Sequence, residues 1–96
     1  MRVIKTSGDR IQDRPLAEAG NRKAQAQLGT MYRKGQGVAR NAAKAFQWFS
    51  VAAKGGDRSA RAEMRAVERT MSADELAQAQ AMAAECEATD YRGCQY

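Results

Sequence analysis

The stretch that most constrains this chain runs from Ala24 to Gly56, AQAQLGTMYRKGQGVARNAAKAFQWFSVAAKGG. Ala24, Leu28, Met31 and Tyr32 recur at i, i+4, i+7 and i+8, a single apolar stripe on a helix that starts after the N-cap residue Asn21 and runs to about Lys34. A second stripe, Ala42, Ala45, Phe46, Phe49, Ala52 and Ala53 with Trp48 at its edge, begins after Asn41 and stops at Gly55-Gly56. Between them, Gly35 and Gly37 suit the left-handed backbone that ends a helix, and Val38 follows as a plug for the gap. A Gly-x-Gly with no preceding strand and no Lys-Ser/Thr after it is a turn, not a phosphate loop. Gly29 lies beside the first stripe at a propensity cost of ~1 kcal/mol, which points to close approach of the second helix.

The pattern then starts again. Setting Gly56-Asp57 on Gly20-Asn21 gives a period of 36 residues and places Ala60 on Ala24 and Met64 on Leu28. Such a period with helix-turn-helix content marks a stacked helical repeat. Asp57 is positioned to cap a third helix with the stripe Ala60, Met64, Val67 and Met71. Ser72 and Glu75 form a capping box for a fourth, which reaches about Thr89 with Leu76, Ala79, Ala83 and Cys86 inward. Upstream, Pro15 to Gly20 reads as the closing turn of a helix whose earlier part is short or missing. Residues 1–14 show no period and are expected to form a flexible arm.

At Ala24-Gln25, Leu28-Gly29, Met31-Tyr32, Gly35-Gln36-Gly37-Val38, Lys44-Ala45, Trp48-Phe49 and Ala52-Ala53 with the closing glycines, the chain resembles the Sel-1-like repeat, a relative of the tetratricopeptide repeat. The resemblance covers one full unit, about residues 20–56, and weakens over 57–96, which looks like a degenerate capping unit. It implies an all-α fold, an antiparallel helix-hairpin solenoid of about four helices, in a non-catalytic scaffold that binds another protein or a copy of itself. The family's recurring residues are packing residues, so the resemblance supplies no catalytic, cofactor or metal site.

Several function classes are disfavoured by composition. No apolar run approaches the ~18–20 residues of a membrane span, and MRVIKTSGDR lacks the apolar core of a secretory leader. The chain has no histidine, and its carboxylates fall on polar faces without a base beside a nucleophile, which weighs against a cell-wall hydrolase or β-lactam-binding protein, the second reading. Net charge is +5, split as +9 over residues 1–61 and −4 over 62–96. That asymmetry suits an acidic partner or head-to-tail contact with a second copy, and leaves nucleic-acid binding by the basic half as a third reading. Arg22, Lys23, Gln25, Arg33, Arg40 and Lys44 on the expected polar faces, together with Trp48, are the candidate partner-binding surface.

Cys86 and Cys94 are the only cysteines. Two thiolates alone could complete a zinc site only across a dimer, and their separation rules out a C-x-x-C redox pair. On the residues alone, a disulfide and two free thiols both stand, the disulfide being preferred. In cysteine-rich secreted members of the family, cysteines at this separation link the end of one helix to the start of the next. The resemblance therefore implies a Cys86–Cys94 bridge pinning the tail as a lid, and with it a periplasmic or secreted address, with the cytoplasm as the alternative.

Overall fold

The computed structural model describes residues 15–96; the expected arm over 1–14 lies outside the described residues. The described chain is all-α, with no strand. A helical turn over 15–18 (α1) precedes four longer helices, α2 (Arg22–Lys34), α3 (Ala42–Lys54), α4 (Arg58–Glu68) and α5 (Ala73–Ala88).

Each of the four begins on the residue whose side chain can replace a missing intrahelical partner. Asn21 Oδ1 accepts from Ala24 N at 2.9 Å, Asn41 Oδ1 from Lys44 N at 2.9 Å and Asp57 Oδ1 from Ala60 N at 2.9 Å. At α5 the capping box closes in both directions, with Ser72 Oγ accepting from Glu75 N and Glu75 Oε1 accepting from Ser72 N. Gly35 ends α2 at φ 77°, and its N–H donates to Met31 O, so the chain reverses into α3 as the Gly-x-Gly pattern requires.

Helix α3 is the centre of the molecule: α2, α4 and α5 all pack on it. The residues from Ala45 to Phe49 are buried in an unbroken run, which means that the helix is covered on every side rather than on one stripe. Towards α2 it presents Phe49, whose ring fills the space above Gly29. Ala60 and Val67 of α4, and Ala79, Ala83 and Cys86 of α5, complete the core, with Met64, Met71 and Leu76 partly buried at its margin. The expected stripes are thus the packed faces, except that Ala42 is exposed. Trp48, expected at the edge, is at the interior.

Candidate interaction surface

What covers the remaining side of α3 is the end of the chain. After α5 the backbone turns sharply at Asp90 and Tyr91, both in the left-handed region at φ 57° and 69°, a conformation that L-residues adopt at a cost glycine does not bear. Three contacts hold the turn. Tyr91 N donates to Cys86 O at 2.8 Å, Thr89 Oγ1 accepts from Gly93 N at 2.6 Å, and a disulfide joins Cys86 to Cys94. Arg22, at the start of α2, lays its side chain across Gly55, where a Cβ would collide with the guanidinium stem. Its Nη1 donates to the Tyr91 hydroxyl at 2.8 Å, and its guanidinium lies 5.6 Å from the centre of that ring.

Beyond Cys94 the chain runs back along α3. Gln47 Nε2 donates to Gln95 O at 2.9 Å while Gln47 Oε1 accepts from Gln95 N at 2.8 Å. Trp48 Nε1 donates to the same Gln95 O at 3.3 Å, and Lys44 Nζ donates to Tyr96 O at 2.7 Å. The Tyr96 ring stacks at a tilt on Trp48, 5.3 Å between centres, and its hydroxyl donates to Glu18 Oε2 of α1. The two fully buried polar or aromatic side chains on this side of α3, Gln47 and Trp48, thereby find their hydrogen-bond partners.

The residues nominated as a partner-binding surface divide accordingly. Gln25 and Trp48 are corrections: neither is on the surface. Gln25 donates from Nε2 to Ala17 O at 3.0 Å, beside the Gly20 N–H that donates to the same carbonyl at 3.1 Å, and so ties α1 to α2. Arg22 and Lys44 are half-buried and spent on the tail. Lys23 is exposed and stands apart. Arg33 and Arg40 come together at an open cleft of about 530 Å³, with Ala42 of α3, Ala66 and Val67 from the end of α4, and Thr70 just beyond it. Arg33 Nε lies 3.1 Å from Glu63 Oε1, an ion pair whose angle falls short of a hydrogen bond, and both side chains are solvated enough that it contributes little to stability.

Sequence reasoning missed Gln47, Tyr91, Gln95 and Tyr96. A signal existed for Gln47: it is a polar residue inside the apolar run 45–53, next to Trp48, and such a residue is buried only with a partner. For the tail, the Gly93-Cys94 pair gave the position of the staple but not the surface on which the chain lies.

A second opening, about 300 Å³, lies between α4 and α5 over Phe46 and Val51 of α3, with Lys54 and Glu87 bridged at 2.8 Å at its rim. Among the described residues no group of three or more His, Cys, Asp or Glu side chains is placed to hold a metal ion, and no helix is long and apolar enough to cross a membrane.

A hairpin of capped helices with a glycine-spaced turn, stacked on a third and fourth helix, defines a helical-repeat protein. The family model of the Sel1 repeat matches residues 22–57, the unit from α2 through the cap of α4. No curated protein and no solved structure matches the chain.

Proposed function

We propose that the chain is a non-catalytic protein–protein interaction module, built as a Sel1 repeat followed by a degenerate second unit over 57–96 and working in the periplasm or outside the cell. The observation that carries this is the direction of the repeat's own residues. Leu28, Gly29, Tyr32, Ala45, Phe49 and Ala52 are all buried, so the features that define the unit build a scaffold and leave its outer faces to recognition. The Cys86–Cys94 bond favours an oxidising compartment.

The surface best suited to a partner is the cleft that holds Arg33 and Arg40. Two guanidinium groups beside apolar Ala66 and Val67 match a protein segment that combines carboxylates with small apolar side chains. The reading is tested by cross-linking the oxidised chain in an envelope extract of its source organism, alongside light scattering of the pure protein at high concentration. We expect a defined cross-linked partner, or a dimer, that is lost when Arg33→Glu and Arg40→Glu are combined. A partner untouched by the charge reversal counts against the cleft, and a monomer that captures nothing counts against the module.

A further inference from the structure

The contacts between α3 and the tail have a pattern that simple core packing does not require. Four hydrogen bonds run between them, from or to Lys44, Gln47 and Trp48, and every one ends on a main-chain atom of Gln95 or Tyr96. The Gln95 side chain itself is exposed. One side chain is read, the ring of Tyr96, by Trp48 and Glu18. A primary amide that takes both the N–H and the C=O of one residue does what a neighbouring strand does for an extended peptide. The surface therefore specifies a stretch of non-helical backbone followed by an aromatic ring, and is indifferent to the residue before the ring.

Beyond its continuity with α5, the occupant is held in place by the Cys86–Cys94 bond and by a turn whose backbone is costly for Asp90 and Tyr91. Resting on the interaction-module reading, we propose that the α3 surface of Lys44, Gln47 and Trp48, edged by Glu18, is a binding site for a partner's extended peptide segment bearing an aromatic side chain. Residues 94–96 fill it in cis while the Cys86–Cys94 bond is closed. A dithiol reductant opens it: two electrons and two protons pass to Cys86 and Cys94, which become thiols, and the dithiol becomes a disulfide. The tail is then tethered only through the backbone between Cys86 and Cys94, which lowers its effective concentration at the surface; the left-handed turn can relax, and a segment in trans can compete for Gln47 and Trp48.

The test uses the full chain in two forms, oxidised, and carrying Cys86→Ser, Cys94→Ser and Tyr96→Gly so that the tail has neither its staple nor its ring. The probe is a fluorescein-labelled, C-terminally amidated peptide, Arg-Gly-Ser-Gln-Tyr, followed by anisotropy and by the emission of Trp48, the only tryptophan. The unstapled form is expected to bind at least tenfold more tightly than the oxidised form, and adding Gln47→Ala, or replacing the tyrosine of the peptide with alanine, is expected to remove that difference. Equal binding to both forms, or no binding to an unstapled form that keeps its helical circular dichroism, overturns the proposal. So does loss of the helical signal on unstapling, which makes the tail a structural cap. Failure here with a charge-dependent partner at Arg33 and Arg40 intact removes the peptide site and leaves the interaction module standing.

Discussion

The ring of Phe49 occupies the place that a side chain on Gly29 would need: a Cβ built there would stand 2.7 Å from Cδ1 and 2.8 Å from Cε1 of the ring. Phe49 is almost completely buried and has nowhere to move. Alanine would gain ~1 kcal/mol of helix propensity, but overpacking of a filled core costs about 1–3 kcal/mol, so the second effect wins. Gly29→Ala should lower the urea midpoint, for a loss of stability of up to about 2 kcal/mol, and Phe49→Leu should cost less in the Gly29→Ala background than in the wild type.

The disulfide closes a loop of eight residues' separation, for which chain entropy gives about 2–3 kcal/mol. Denaturation with and without reductant should show a difference of that size. Intact-mass analysis should find no thiol that reacts with an alkylating reagent until the protein is reduced.

Asp57 caps α4, and its carboxylate is held below the usual range chiefly by the Ala60 N–H, and then by the Ser59 hydroxyl. A folded value below the unfolded one means that the carboxylate adds stability above the unfolded pKa, and that this is lost as the pH falls through the folded value. Stability should therefore decline below about pH 4, and Asp57→Asn should lessen that decline while keeping the cap. Asp57→Ala should cost ~1 kcal/mol at neutral pH.

Gln25 is fully buried, and its amide serves the carbonyl of Ala17, itself buried. Ala17 O also accepts from Gly20 N at 3.1 Å, so removing the amide takes away one of two donors and the tie to α2, at a cost of about 0.5–1.5 kcal/mol. Gln25→Ala is expected to free α1, seen as faster amide exchange and earlier proteolysis near Gly20, with a smaller effect on α3.

How much could be read in advance followed the range of the interaction. Asn21, Asn41, Asp57 and Ser72 act on the backbone three residues ahead, so the sequence displays both halves of each cap. Gly29 is legible because a glycine inside a helical stripe costs helix propensity and suits a place where a neighbouring helix must come close. Gln25 and Trp48 were misplaced for one reason: each is polar, or at a stripe's edge, and its burial depends on a segment that neither periodicity nor spacing locates, Ala17 for the one and Gln95 for the other. Arg33 and Arg40 are charges on polar faces in the sequence; that they share a cleft with Val67 is set by the packing of α4 on α3, which no local pattern displays.

Because α2, α4 and α5 each rest on α3 while α4 and α5 scarcely touch one another, the molecule is wired as a hub with spokes. Long repeat arrays gain stability additively, link by link, and can melt from one end. Here no link can be removed without uncovering the hub. Native-state hydrogen exchange should accordingly find the amides of α3 opening only with global unfolding. A chain of this length would then melt in one step, where a longer array of similar units would fray.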